Sequence, residues 1–440
     1  MSSVDRLKSL LSFLVLLFAW GAAAAGPAIQ SWTTPNGARV LFVPAPALPI
    51  LDLRVVFDAA ASRDGDHPGV ASLTNALLTQ GAGAWDADTI AERIESVGST
   101  LETGSLRDMA WVSARTLTRD DALATTLETL AKVLAEPRFP PRELERVRKA
   151  VLVSLRQEEQ RPGKVGKKAW YRLVFGDHPY AHDPSGTPES VEALTRDDLL
   201  AHYRRYYVAR NAVISLVGAI DRAQAERIAE TLVAGLPAGE PAPPLPPVAD
   251  PAGAKSADIT FPSTQAHLYT GQPGMARKDP DYFPLYVGNH ILGGAGLVSI
   301  LADEVREKRG LSYSVSSYFI PMRRRGPFLA GLQTKASQLG EAERVLRGTI
   351  RRFLREGPTE KELDAAKKNL TGGFPLRISS NAKIAEYLSL IGFYDLPLDY
   401  LDRFTTRIEA VTREQIRDAF RRRIHPDRFA TVRVGPGGKG

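Results

Sequence analysis

Apolar and polar positions alternate with a period of two in LDLRVVF at 51–57, which predicts a strand. Residues 99–118 read as two strands joined near Leu106-Arg107-Asp108. The period then lengthens: 120–136 and 141–160 carry apolar residues at helical spacing. The same succession returns later, with strands predicted over 266–271, 311–320 and 327–334 and helices over 338–355 and 359–376. Strands clustered apart from runs of helices predict an α+β fold rather than a parallel βαβ sheet.

The repetition is visible residue by residue. VEALTRDDLL from Val191 aligns without a gap to IEAVTREQIR from Ile408, at an offset of 217. The match continues through Arg204-Arg205 over Arg421-Arg422 to Val217-Gly218 over Val434-Gly435. Each copy offers a Thr N-cap with an acid in the first turn, then a helix, then a short β-rich run. Farther upstream, Glu143-Leu144 and Glu362-Leu363 open similar helices. Between the copies lies LPAGEPAPPLPPVADPAGAK at 236–255, whose prolines exclude helix and favour a semi-rigid polyproline II linker. The sequence therefore predicts two homologous domains, 26–235 and 256–435, with a short tail at 436–440. Each is expected to be an antiparallel-rich mixed sheet with helices packed on one side.

Composition narrows the chemistry. The 440 residues include no cysteine, which excludes disulfides, thiolate metal sites and cysteine nucleophiles. A net charge of +7 arises from interspersed signs and calls for no nucleic acid. At the N-terminus, Arg6 and Lys8 precede an apolar run from Leu10 to Trp20 and the small residues Gly21 to Gly26. This is the pattern of a secretory signal peptide over 1–25, expected to be cleaved after Ala25, the alternative being an uncleaved anchor. The apolar run is shorter than the roughly 20 residues a spanning helix needs, so no stable membrane anchor is expected after cleavage. A periplasmic location follows as the expectation.

The seven histidines offer one close pair, His178 and His182. Pro179 and Pro184 make that segment a turn, read as packed and hydrogen-bonded, because two imidazoles fall short of a catalytic zinc set. No Gly-x-Ser-x-Gly elbow occurs. Residues 163–168, GKVGKK, lack the spacing of a phosphate loop and read as a solvated basic loop. Gly293 to Gly296 read as a break between two helical patterns.

The duplicated α+β half, Gly69-Val70-Ala71 opening a helix, His178-Pro179-Tyr180, and REKRGLSY at 306–313 together resemble the insulinase (pitrilysin) family of zinc metallopeptidases. The resemblance runs from about Ile29 to Gly435. Active members carry His-x-x-Glu-His on a helix, two zinc ligands with a general base, and a Glu on a later helix as third ligand. Aligned on Gly69-Val70-Ala71, those positions here are Ser72, Asn75 and Ala76, and the third falls on Ser154. None supplies the imidazole or carboxylate that zinc takes. The resemblance thus implies a chain that holds no metal and cleaves no peptide alone.

Other parts of the family's apparatus are kept. Its second domain contributes an Arg and a Tyr, seven residues apart, to the substrate carbonyl; Arg306 and Tyr313 match them. On spacing alone, Arg306 reads as one cation of a solvated run from Glu304 to Arg309, and the family match reverses that reading. The strand equivalent to Ser99, Thr100, Leu101, Glu102 and Thr103 borders the family's cleft, although the usual Asn-Ala is absent here. The resemblance implies the non-catalytic subunit of a heterodimeric metalloendopeptidase, pairing with a zinc-bearing homologue around a peptide substrate. The alternative is a non-enzymatic scaffold that holds peptides or other subunits.

Overall fold

The computed structural model describes residues 28–436, so the predicted signal peptide lies outside the described residues. The first sheet contains β1 (Gln30–Thr33), β2 (Arg39–Pro44), β3 (Ile50–Phe57), β4 (Thr100–Ser105), β5 (Ala110–Leu117) and β6 (Ala212–Gly218), in the order β1-β2-β6-β3-β5-β4. The second contains β7 (Lys255–Thr260), β8 (Gln265–Pro273), β9 (Ser314–Phe319), β10 (Pro327–Lys335) and β11 (Ala430–Gly435), in the order β7-β11-β8-β10-β9. Apart from β1, which has no counterpart in the second sheet, the orders are equivalent. One parallel pair, β2 with β6 and β7 with β11, sits in each otherwise antiparallel sheet. The fold is α+β and duplicated, as the sequence predicts.

The helices of eight residues or more are α1 (Val70–Leu77), α2 (Ala87–Glu95), α3 (Asp120–Ala135), α4 (Pro141–Glu159), α5 (Pro162–Phe175), α6 (Arg196–Tyr206), α7 (Arg222–Val233), α8 (Tyr282–Asn289), α9 (Leu339–Glu356), α10 (Glu360–Gly372), α11 (Asn381–Phe393), α12 (Tyr400–Glu409) and α13 (Arg413–Arg423). Capping boxes at Thr195 and Thr412 start α6 and α13, the two copies of the repeat. Among the described residues, no helix is long and apolar enough to cross a membrane.

Each sheet has its own helices on one face, and each borrows a helix for the other. α5 belongs to the first half by sequence but packs on β8 and β11 of the second sheet. Its counterpart α11 belongs to the second half and packs on β3 and β6 of the first. Trp170 of α5, fully buried, donates from Nε1 to the Ala430 carbonyl at 2.9 Å. Ser389 of α11 bonds the Ser215 hydroxyl at 3.0 Å. The exchange explains why β6, AVISLVG, is buried at every position, as a strand covered on both faces must be.

The exchange also corrects the reading of 163–168 as a solvated loop. Those residues are the first turns of α5, and Gly166 is buried. Glycine depresses helix propensity, but its missing side chain lets the helix approach β8 and β11, and tertiary packing prevails. The predicted strand over 311–320 shortens to Ser314–Phe319, because its first residues form an anchored turn. The predicted helix over 359–376 is interrupted near Gly372-Gly373. Gly293 and Gly294 do interrupt a helix, through a π-helical turn at His290–Gly294.

The halves are tied further. Turns joining equivalent hairpins meet where the Asp108 carboxylate accepts from the Arg323 N–H at 2.6 Å and the Tyr394 hydroxyl at 3.0 Å. The linker runs across both halves with Leu245 and Val248 buried. Prolines leave it few donors, and its carbonyls are met by cationic side chains. Arg63 reaches Pro243, Arg324 reaches Leu245 and Arg325 reaches Val248, each at 2.7 Å. The linker is a docked strap.

Candidate functional site

Helix α1 carries three of the four positions where the family's metal motif would stand. Asp64, buried before the helix, accepts from the N–H groups of Gly69 at 2.8 Å and Ala71 at 3.0 Å. Burial raises its pKa to about 7 against the opposing pull of those two donors. Gly69 adopts φ +95°, a left-handed conformation that glycine takes without strain, so the chain can enter α1 there.

Ser72 and Ala76 share one half-buried face of α1, four residues apart. Asn75 is buried and donates from Nδ2 to the Tyr207 hydroxyl and the Trp111 carbonyl, both at 3.2 Å. A residue at the base position therefore holds core elements together. Ser154 lies exposed on α4, which packs against α1. A methyl, a carboxamide engaged elsewhere and two hydroxyls do not fit zinc. Among the described residues, no group of three or more His, Cys, Asp or Glu converges in a manner suited to a metal.

β4 forms an edge of the first sheet, paired only with β5, so its outer backbone groups are free of sheet partners. Thr100 and Glu102 are exposed, while Leu101 and Thr103 are half-buried. Ser99 is buried and bonds the hydroxyls of Thr116 and Thr126 at 2.9 and 2.8 Å, which makes it a packing residue. A groove of about 1250 Å³ opens beside the start of this strand, between α2 and the beginning of α4, with Arg142 and Arg146 on its wall.

Arg306 sits on the π-helical turn Asp303–Glu307. The turn is organised from beneath by Glu304, whose carboxylate is nearly buried. It accepts from Lys308 at 2.9 Å, Arg309 at 2.6 Å and Arg352 at 2.9 Å. The Lys308 bond first, then the two guanidiniums, hold its pKa down to about 2. The cations at 308 and 309 are thereby tied to Glu304. Arg306 remains a third exposed and meets only the exposed Glu307, at 3.4 Å.

Tyr313 projects into solvent, 85% exposed. It occupies a bend just before β9, not the strand itself. Its neighbours are fixed: buried Ser312 donates to the Gln333 carbonyl at 2.6 Å and accepts from the Ser314 N–H at 3.1 Å. Leu311 N–H donates to the Val305 carbonyl at 2.9 Å, closing the segment between Arg306 and Tyr313 back on itself. A pinned backbone thus presents one guanidinium and one phenol, both donors to an anionic oxygen.

The structure assembles Ser72 and Ala76 on one face, turns Asn75 inward, and carries Arg306 and Tyr313 on one turn of the other half. Sequence reasoning missed Asp64 and Glu304. Glu304 had a signal in its i, i+4 spacing to Lys308; Asp64 acts across a loop that no periodicity reveals. His178, read as a packed turn residue, is one: Nδ1 accepts from the Tyr180 N–H and Nε2 meets the Pro246 carbonyl, both at 3.1 Å.

The family model for insulinase (peptidase family M16) matches residues 40–184, and that for the peptidase M16 inactive domain matches 193–370. A crystal structure described as a peptidase M16 inactive domain, from Pseudomonas fluorescens, superimposes with a TM-score of 0.90. It is 40% identical, over 93% of this chain and 98% of that one. An uncharacterized zinc protease of Streptomyces coelicolor is 27% identical over 401 residues, 88% of this chain and 86% of its own. The non-peptidase homolog YmxG of Helicobacter pylori is 27% identical over 380 residues, 84% of this chain and 85% of its own.

Proposed function

The chain belongs to the M16, or insulinase, peptidase family, and from that premise we propose that it is the non-catalytic subunit of a two-chain peptidase. In this reading it works in the periplasm and pairs with a homologue that carries the zinc. The two enclose a peptide, and Arg306 and Tyr313 donate to the scissile carbonyl as negative charge develops on its oxygen. Zinc belongs to the partner, because Ser72, Asn75, Ala76 and Ser154 do not suit it.

The observation that carries the reading is the contrast between two places in one chain. Where the family's metal motif would stand, the residues either lack donors or are used in the core. Where the family's Arg and Tyr would stand, both are present and lightly engaged, Tyr313 open to solvent and Arg306 partly so. The exposed edge of β4 can pair with an extended peptide through backbone groups, which tolerates the altered side chains at 100–103. A scaffold that binds without assisting hydrolysis would explain the first place and leave the second without a task.

Peptide cleavage by a mixture of this chain with its zinc-bearing homologue tests the proposal. Replacing Arg306 by Ala together with Tyr313 by Phe is expected to slow the mixture by about 10²-fold or more, the usual cost of one oxyanion donor. A rate within twofold of the unsubstituted mixture would overturn it.

A further inference from the structure

A second cavity, of about 540 Å³, lies in the second half between α8, the middle of α11 and the start of α12. Its walls are aromatic. Tyr282 and Tyr286, one turn apart on α8, stack with centroids 5.9 Å apart and planes within 9°, and Phe404 closes on Tyr286 at 6.0 Å. Its polar groups are nearly all donors. Arg277 Nη1 donates to the Tyr282 hydroxyl at 3.2 Å, and Arg377 Nη1 donates to the Tyr286 hydroxyl at 2.9 Å. A phenol oxygen that accepts from a guanidinium has its own proton left to give. Burial pushes the pKa of Tyr286 upward, so that proton stays in place.

Acceptors are scarce. Among the described residues neither Arg277 nor Arg377 forms an ion pair, and Arg277 Nε is sealed from water without a hydrogen-bond partner. Glu386, the one carboxylate on the lining, faces Arg54 of the first sheet at 3.6 Å. A concave site of this volume with flat apolar walls and a few directed polar groups has the form of a small-ligand pocket. Surplus donors and two guanidiniums without a carboxylate partner among the described residues, one with its Nε sealed from water, call for an anionic acceptor, and stacked rings call for a flat or apolar body beside it.

We propose that this cavity binds a peptide carboxylate, held between Arg277 and Arg377, with the adjoining apolar side chain against Tyr282, Tyr286 and Phe404. The carboxylate is either the free C-terminus of a peptide or an acidic side chain within it. The site is separate from Arg306 and Tyr313 and operates in the isolated chain, whatever the fate of the two-subunit reading.

Calorimetric titration of the intact chain at low salt tests this with three probes: acetyl-Ala-Ala-Phe as the free acid, the same peptide as its C-terminal amide, and acetyl-Ala-Glu-Phe amide. The free acid is expected to bind at least tenfold more tightly than its amide. Binding of the third peptide to the same degree assigns the site to acidic side chains as well, and its failure assigns it to C-termini. Arg377→Gln, at an exposed position and with its fold checked by circular dichroism, should weaken the acid about tenfold or more, since hydrogen bonds to charged groups are the strong ones. Tyr286→Phe should weaken it a few-fold. Equal affinity for acid and amide, no binding of any probe at millimolar concentration, or indifference to Arg377→Gln would overturn the proposal. An equal loss on Arg306→Ala would do so too, by placing the binding in the other cleft.

Discussion

Gly166 offers a sharp test of the helix exchange. It lies inside α5, where alanine should normally be preferred to glycine by about 1 kcal/mol. A Cβ built there would stand 2.7 Å from Val434 Cγ2 and 2.8 Å from Tyr269 Cε2. Carbon atoms in contact ordinarily stay about 3.5–4.0 Å apart. The helix or the sheet would have to yield by roughly 1 Å in a core where Val434 has no exposure. Overpacking of that kind costs about 1–3 kcal/mol, so Gly166→Ala should lose about 1 kcal/mol net rather than gain it.

Val434→Ala alone removes two buried methyl groups and should cost about 1.6 kcal/mol, at about 0.8 for each carbon. In the double variant the new Cβ takes over space that Cγ2 has left. The combined loss should then fall at least about 1 kcal/mol short of the sum. Equilibrium urea denaturation of the three variants measures all of this through midpoint and slope. Stabilisation by Gly166→Ala, or additivity within about 0.5 kcal/mol, would refute the close approach of α5 to the second sheet.

Other consequences follow from the same geometry. Since each sheet is covered by a helix of the other half, 28–250 and 251–436 expressed separately should fail to fold, and the intact chain should unfold in one transition by circular dichroism. His202 is buried against the Ala59 carbonyl at 2.9 Å, and burial lowers its pKa from 6.5 to about 4. Its stabilising contribution is complete above 6.5 and declines as the pH falls toward 4, because the unfolded chain binds a proton that the native one refuses. The His202 share of that loss should approach about 3 kcal/mol across the window, while Asp64, raised to about 7, works in the opposite direction over the same range, so the share is read as the difference between unsubstituted chain and His202→Gln in denaturation curves taken at several pH values. Installing Ser72→His with Ala76→His should create a two-imidazole zinc site on α1, detected by equilibrium dialysis, without peptidase activity. Adding Asn75→Glu should destabilise the fold by breaking the bonds to Tyr207 and Trp111.

Much of this architecture was legible in the chain. The repeat was readable because capping signals at Thr195 and Thr412 are local, and because Glu143-Leu144 and Glu362-Leu363 open α4 and α10 alike. The helix exchange was not. A strand buried on both faces, such as β6, reads as a plain apolar run whichever half supplies the second cover. α5 was hidden by Gly163 and Gly166, whose value lies in contacts with residues more than a hundred positions away. At the candidate site, Ser72, Asn75 and Ala76 were picked out by the family resemblance aligned on Gly69-Val70-Ala71, whereas the inward turn of Asn75 depends on Tyr207, far along the chain. The support of Arg306 by Glu304 needs Arg352, which no motif joins to the 306–313 string. The donor-rich cavity drew on four separate segments and left no mark in any one of them.

The central claim is that this chain lacks the means to hydrolyse peptides by itself and lends donors to a subunit that has the metal. The most direct measurement compares hydrolysis of one peptide by this chain, by its zinc-bearing homologue, and by an equimolar mixture of the two. The account predicts no turnover by the first, little by the second and a rate in the mixture far above their sum. Turnover by the solitary chain, or a mixture no faster than the homologue alone, would contradict it.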